Sequence, residues 1–331
     1  MAPFTAEERE GGGRWGMRRP VDIEPTRLSK KLPEDACERL RSILGVHMDI
    51  RAPGDAEEPI LGLHVRQVLA QWMAEIRAAD ELRVVGIKPR ANALLYGPPG
   101  CGKTTMAHHF AARLGLPMVV VGSEHLIGAF LGESGKNIAK LFDGLAVADT
   151  QVVLFMDEVE AIGASRGART GGQCDDEKNS ALTVLLRKVE EFNAGYFIAA
   201  TNMPDNIDAA LWRRFNMQIG IALPGADERF AILKRYLSPF TLPDDDLDCL
   251  AEATDGASPA LLRELMEGIK RGLIVRPRLR LAIDSAPEMF AAIISATMPP
   301  PEMEVPKLWS RADTLKSLSR LSWPPIRMGA P

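Results

Sequence analysis

The sequence is poor in cysteine and histidine, and neither residue type is spaced for metal binding. Its 331 residues contain four cysteines, and none of them forms a C-x-x-C pair. This excludes a disulfide framework and a cysteine zinc site, and it predicts a reducing, cytoplasmic compartment. The five histidines include no H-E-x-x-H pattern, so the chain lacks the zinc-protease motif.

An excess of positive charge and long apolar runs are also missing. The formal net charge is −4, from 40 basic and 44 acidic residues, which argues against a nucleic-acid partner because no overall cationic field exists. No run approaches the roughly 18 apolar residues that a membrane span needs, and the N-terminus lacks the apolar core of a signal peptide. We therefore expect neither secretion nor a membrane.

One stretch has the spacing G-x-x-x-x-G-K-[ST]. It consists of Gly97, Pro98, Pro99, Gly100, Cys101, Gly102, Lys103 and Thr104, followed by Thr105. A strand-like run precedes it and a helix-like run follows, as this motif requires. Its backbone N–H groups and the helix N-terminus suit phosphate, Lys103 suits the β- and γ-phosphates, and the Thr104 hydroxyl suits Mg²⁺. The motif predicts a nucleoside triphosphate site.

A second candidate site element follows the apolar run 152–156, which ends in Asp157 and Glu158. A buried parallel strand would place Asp157 at the carboxyl edge of the sheet beside the phosphate loop, where it can hold Mg²⁺. Glu158 would then orient and polarise the water that attacks the γ-phosphate. The alternative is a strand that simply ends in surface acids.

Strand-like and helical segments alternate through the middle of the chain. The strand-like runs are 91–96, 117–121, 151–156, 196–200 and 217–223. This alternation predicts a P-loop NTPase three-layer α/β/α sandwich with a mainly parallel sheet. After Pro224 only helical patterns follow, which predicts a small all-helical lid domain. The expected divisions are an arm (1–55), the α/β domain (56–224), the lid (225–297) and a proline-rich tail (298–331).

The two ends of the chain allow two interpretations each. The arm has scattered glycines and prolines and one helical stretch near residues 34–44, so it is either a flexible leader or a segment that grips a neighbour. The tail is either a linker with a docking peptide or a disordered end.

Five motifs in order resemble a known family. They are GIKPRANALLYGPPGCGKTT, FLGESGKNI, LFMDEVEAIGASRG, GGQCDDEKNSALTVLL and ATNMPDNIDAALWRRF. From about residue 82 to residue 265 the chain resembles AAA ATPases of the branch that includes the AAA metalloproteases, the proteasomal ATPases and the microtubule-severing ATPases. The resemblance implies ATP and Mg²⁺ as ligands, ATP hydrolysis, and a homo-oligomer, probably a hexameric ring.

The same resemblance implies roles for three further residues. Asn202 matches the polar sensor of the γ-phosphate, although a simple turn residue is the alternative. Arg213 and Arg214 match the arginine fingers that reach the neighbouring subunit's nucleotide; two arginines in surface salt bridges are the alternative. They are adjacent, whereas the branch usually separates them by two residues, so which of them is the finger stays open.

A loop with Phe130, Leu131 and Gly132 resembles the channel loop that grips a protein substrate in hexameric relatives. The alternative is that Phe130 packs in a local core. The expected function is an ATPase that remodels or unfolds a protein partner, and two rival functions stay open. One is a nucleotide-dependent switch that recruits a partner enzyme, and the other is a nucleic-acid-stimulated motor.

Overall fold

The computed structural model describes residues 36–45, 48–127, 133–163, 173–301 and 303–328. The first 35 residues of the expected arm lie outside these ranges. The same holds for the expected channel residues Phe130, Leu131 and Gly132.

A six-stranded sheet forms the centre of the fold. Its strands are β1 (Asp49–Arg51), β2 (Asn92–Tyr96), β3 (Met118–Val121), β4 (Val152–Met156), β5 (Gly195–Thr201) and β6 (Met217–Gly220). The strand order is β1-β3-β4-β5-β2-β6. Strands β2 to β6 pair in parallel, and β1 pairs antiparallel with β3 at one edge. The five parallel strands are the five runs that the sequence predicts, each within a few residues.

Helices cover both faces of this sheet. They are α1 (Ala36–Leu44), α2 (Leu63–Arg77), α3 (Ala79–Val84), α4 (Lys103–Leu114), α5 (Glu133–Ala148), α6 (Glu160–Gly163), α7 (Gln173–Glu191) and α8 (Ala209–Trp212). Side chains of β4 alternate between two separate cores: Val152 and Leu154 enter the core that also holds Phe142 of α5, while Phe155 enters the core that holds Phe110 of α4. Period-two alternation over a fully buried strand requires apolar layers on both faces. The predicted three-layer fold class is confirmed.

Residues 36–45 and 48–55, the described part of the expected arm, are packed against the rest of the fold. Helix α1 and strand β1 pack on the α/β layers, because Leu40 and Ile50 are buried in the same core as α5 and α7. β1 has three residues with only one buried apolar side chain, which is too short for a periodicity signal.

A second, helical unit follows β6. Its helices are α9 (Ala226–Leu237), α10 (Asp244–Ala253), α11 (Pro259–Arg278), α12 (Ala286–Ala296), α13 (Lys307–Ser310) and α14 (Ala312–Ser317). Two short strands, β7 (Phe240–Thr241) and β8 (Ile326–Arg327), pair antiparallel in a separate two-stranded sheet. Leu262, Leu265 and Phe290 are fully buried in the separate core of this unit. We call this unit the lid.

The described part of the tail packs on the lid. Residues 303–328 fold back onto the lid, where Leu308, Leu318 and Leu321 are buried in its core. The Trp323 indole donates to Asp284 O at 2.8 Å, and its ring packs on Phe290 at a centroid distance of 5.9 Å. These apolar side chains outweigh the chain-extending effect of the prolines.

The described helices include none with the length and apolar content to cross a lipid bilayer.

Candidate functional site

The phosphate-loop motif forms the turn between β2 and α4. Gly97 has φ +146°, and a Cβ there would lie 2.1 Å from Ile221 O, so only glycine fits. Gly100 has φ +72°, and its carbonyl accepts a hydrogen bond of 3.1 Å from Ala260 N. Because Ala260 lies in α11, the phosphate loop is connected directly to the lid. Gly102 caps α4 in a left-handed conformation.

Lys103 lies at the start of α4 with 7% of its surface exposed. Its Nζ donates to Gly97 O at 2.7 Å and to Pro98 O at 2.9 Å. Burial lowers the pKa of Lys103, and the charges of Cys101, Asp157 and Glu160 oppose that shift. A partly desolvated ammonium group that spans the phosphate loop is suited to a phosphate anion.

Thr104 and Asp157 come from two different elements and meet at the carboxyl edge of the sheet. The Thr104 hydroxyl donates to Asp157 Oδ2 at 3.3 Å, and Asp157 Oδ1 accepts from Glu158 N at 3.0 Å. A hydroxyl and a carboxylate are the hard oxygen ligands that Mg²⁺ prefers. Within the described residues no cluster of three or more acidic, histidine or cysteine side chains could hold a metal by itself. The donor set fits Mg²⁺ shared with phosphate and water, which is how this ion is usually bound.

Glu158 and Asn202 lie at the ends of neighbouring strands β4 and β5. Glu158 is exposed and has φ +51°, an unusual conformation for a residue with a side chain. Val159 N, directly after it, donates to Ala200 O at 3.0 Å and fixes this turn to β5. Asn202 Oδ1 is buried and accepts no hydrogen bond from the part of the chain that the structure describes.

A cavity of about 340 Å³ brings the predicted site residues together. Pro99 to Thr105 lines it with Asp157, Glu158 and Asn202. Gly97 and Pro98 are joined to the site through the Lys103 hydrogen bonds. Tyr236 and Arg263 of the lid line the same cavity. Both structural units therefore form the site.

Sequence reasoning missed the lid side of the cavity. The Tyr236 hydroxyl donates to Glu57 Oε1 at 2.9 Å. The pKa of Tyr236 is raised, mainly by burial and to a smaller extent by this hydrogen bond. For Arg263 the sequence allows either a contact with the nucleotide or an exposed helical arginine; its side chain lines the cavity. It pairs with Glu267 at 2.8 Å and lies over the Tyr236 ring at 5.4 Å. No local motif reveals contacts between residues 179 positions apart.

A smaller cavity of about 50 Å³ adjoins the first and shares Glu57, Cys101 and Tyr236 with it. Ile60 and Ile232 supply apolar side chains to it. This recess lies beside the phosphate loop, where the segment before α2 meets the lid.

Arg213 and Arg214 lie after α8, and neither lines the cavity of its own chain. Arg214 pairs with Glu190 at 2.7 Å. Arg213 is exposed, and its side chain makes no hydrogen bond or ion pair to any described residue. The two arginines, which the sequence does not distinguish, therefore differ in their contacts. Arg214 is in an ion pair with Glu190 of the same chain, and Arg213 is exposed.

The family comparison agrees with this geometry. Residues 93–223 match the family model described as ATPase family associated with various cellular activities (AAA). This part of the chain, which holds the phosphate loop, the acidic pair and both arginines, therefore belongs to the AAA ATPase family, and the predicted family is confirmed. The family also supports nucleotide binding and ATP hydrolase chemistry.

Several individual proteins are similar in sequence to this chain. A proteasome-activating nucleotidase of Thermococcus onnurineus is 36% identical over 264 residues, which are 76% of this chain and 63% of that protein. An uncharacterized AAA family ATPase, y4kL, of Sinorhizobium fredii is 39% identical over 171 residues, 52% of this chain and 49% of that protein. An ATP-dependent zinc metalloprotease FtsH of Synechococcus is 35% identical over 204 residues, 60% of this chain but 32% of that protein. The chain thus spans less than two thirds of the length of these relatives.

Proposed function

We propose that this chain binds Mg·ATP in the cavity between the α/β layers and the lid, hydrolyses it, and uses the energy to remodel a protein partner. The observation that carries the proposal is the convergence of Lys103, Thr104, Asp157, Glu158 and Asn202 on one cavity formed by both units. A motor of this kind must link its reaction site to a movable domain, and the hydrogen bond from Ala260 N to Gly100 O provides such a link.

Each residue at the cavity has a defined part in this proposal. Lys103 exchanges its bonds with the loop carbonyls for β- and γ-phosphate oxygens. Thr104 and Asp157 hold Mg²⁺, which when bound neutralises charge on the phosphates. Glu158 orients and polarises the attacking water as the general base. The orphan oxygen of Asn202 accepts a hydrogen bond from that water.

We assign the arginine finger to Arg213. A guanidinium group that stabilises the transferring phosphoryl must be free to reach it, and Arg214 is engaged with Glu190. Since neither arginine lines its own cavity, the finger acts on the neighbouring subunit. Hydrolysis therefore requires an oligomer, for which a hexameric ring is the proposed form. Arg214 maintains the position of the segment that carries the finger.

The partner is proposed to be a protein. Relatives are named for activating a proteasome, and the net charge of −4 gives nucleic acid no overall attraction. Phe130, Leu131 and Gly132 are the proposed gripping residues, on the sequence resemblance alone. The proposed compartment is cytoplasmic, in keeping with three described cysteines that are all free thiols.

Glu158→Gln tests the hydrolytic role. The variant should bind ATP with wild-type affinity and lose turnover by at least 100-fold, because the amide cannot accept a proton from water. Light scattering with Mg·ATP should then show a ring of about six subunits. Glu252→Gln, at an exposed site on the lid, is the matched control. Wild-type turnover by Glu158→Gln would refute the mechanism.

Mixing two inactive variants tests the finger in trans. Arg213→Ala subunits keep an intact base, and Glu158→Gln subunits keep an intact finger. If the finger serves the neighbouring site, mixed rings contain some complete sites and regain part of the wild-type turnover. If mixing restores nothing, or if Arg213→Ala alone remains active while Arg214→Ala does not, the assignment is wrong.

Phe130→Ala separates a threading motor from a nucleotide switch. We expect the variant to keep ATP turnover and to stop unfolding a tagged model substrate. Recruitment of a partner with unchanged ATP dependence, and no unfolding by wild type, would favour the switch.

A further inference from the structure

The residue that joins the two sides of the proposed reaction site is Glu160, which lies in the motif LFMDEVEAIGASRG but is given no role by the family resemblance. It begins α6, two positions after Glu158. Its Oε1 accepts a hydrogen bond of 3.3 Å from the backbone N–H of Asn202. The partners are 42 residues apart in sequence, so this contact ties the end of β4 to the end of β5.

A second contact joins the same two segments. Val159 N donates to Ala200 O at 3.0 Å, and Ala161 N donates to Glu158 O at 2.9 Å. The turn that holds Glu158 at positive φ is therefore anchored to β5 on one side and closed by α6 on the other. Asn202 lies beyond the last paired residue of β5, Thr201, so the strand ladder no longer fixes it. Among the described residues, the Glu160 carboxylate is the acceptor of its N–H.

Two buried oxygens at this position have no donor among the described residues: Glu160 Oε2 and Asn202 Oδ1. An unsatisfied buried acceptor destabilises the folded state because it loses its hydrogen bonds to water, so folding stability alone does not favour a carboxylate here. Such groups are found where function requires them. Asn202 Oδ1 is the oxygen proposed above to receive the attacking water.

We propose that Glu160 is a positioning residue that holds Asn202 at the distance from Glu158 that ATP hydrolysis requires. This inference rests on the proposed function of the same site. Glu160 itself does not line the cavity and need not touch the nucleotide. Its role depends on the reach of the side chain, because the contact uses one acceptor oxygen at the end of two methylene groups.

Three substitutions separate reach from charge. Glu160→Gln keeps the length and one acceptor oxygen, Glu160→Asp keeps the charge but is one methylene shorter, and Glu160→Ala removes both. We expect kcat to fall about 10-fold in the Ala and Asp variants and less than 3-fold in the Gln variant. KM and the ATP dissociation constant should stay within 2-fold in all three. If Gln is as impaired as Ala, charge and not position is responsible, and the proposal is wrong.

A double-mutant cycle identifies the residue through which Glu160 acts. In the Asn202→Ala background, Glu160→Ala should have little further effect on kcat, because the side chain that it positions is already gone. Fully additive losses would overturn the proposal. Glu252→Ala, at an exposed site on the lid, is the control and should leave kcat unchanged in both the wild-type and the Asn202→Ala backgrounds.

Hydrogen exchange tests the positioning role without ATP turnover, so its result does not depend on the proposed function. Glu160→Ala should speed hydrogen exchange of the amides at 201–203, while the exchange in α10 stays constant; Glu160→Gln should restore protection. Unchanged exchange at 201–203 refutes the positioning role even if the protein proves inactive. Absence of turnover in wild type instead refutes the proposed hydrolysis.

Discussion

Arg229, in the first turn of α9, is a buried cation. It connects Pro224, in the segment between β6 and the lid, with Ala251 in the interior of the lid. Its Nε donates to Ala251 O at 2.7 Å, and its NH1 donates to Pro224 O at 2.8 Å and pairs with Asp255 at 2.8 Å. Only 7% of the residue is exposed. We predict that Arg229→Met, which keeps most of the apolar stem, destabilises the lid strongly.

The magnitude follows from the partners that are left behind. Hydrogen bonds from a charged donor contribute about 1.5 to 3 kcal/mol each. Arg229→Met removes this donor from the carbonyl of Pro224 and from that of Ala251, which keeps only the longer bond of 3.3 Å from the Thr254 hydroxyl. The expected loss is about 3 to 5 kcal/mol. Asp255 has 66% of its side chain exposed, so its ion pair contributes little, about 0 to 1 kcal/mol. Asp255→Asn is therefore the matched control.

Urea unfolding followed by circular dichroism and tryptophan fluorescence provides the measurement. Hydrogen exchange in α9 and α10 localises the loss. We expect a large shift of the lid transition in Arg229→Met and almost none in Asp255→Asn. Equal losses in the two variants would show that the exposed ion pair, and not the buried carbonyl contacts, carries the stability, and would refute this reasoning.

Two further predictions concern the α/β layers. Gly97→Ala should abolish nucleotide binding in a fluorescent-nucleotide titration, because the new Cβ would lie 2.1 Å from Ile221 O; wild-type affinity would show that the loop can move aside. Burial favours a raised Glu75 pKa, but the hydrogen bonds and charge of Arg90 outweigh burial and lower the pKa. The contribution of Glu75 to the free energy of unfolding is therefore present above the pKa that Glu75 has in the unfolded chain. It is lost as the pH falls through the lower pKa of the folded state. Glu75→Gln should therefore destabilise the protein more at pH 7 than at low pH in urea unfolding; a loss that is independent of pH would contradict the ionic origin.

The sequence predicts which residues line the phosphate side of the cavity, and the reason is local. Gly97 to Thr105 lie on one turn, and Asp157 with Glu158 ends one strand. Their spacing alone therefore determines which elements carry them. The parallel sheet is equally predictable, since strands buried on both faces are apolar throughout.

The lid side could not be predicted in the same way. Glu57 and Tyr236 meet only because the segment before α2 packs against α9, and nothing near either residue signals that contact. The choice between Arg213 and Arg214 depends on a glutamate in α7 that pairs with the second arginine. The packing of the tail is not predicted from sequence because its prolines suggest an extended chain. Leu308 and Leu318 are buried in the lid core by residues that are distant from them in sequence.

A cavity formed by two units has a thermodynamic consequence. A ligand that contacts both units stabilises their closed arrangement by RT ln(1 + [L]/Kd), about 2.7 kcal/mol at a hundred times the dissociation constant. The nucleotide therefore acts as a reversible cross-link between Gly100 on one side and Tyr236 on the other. The fraction of molecules in which the lid is held against the sheet should therefore rise with nucleotide concentration.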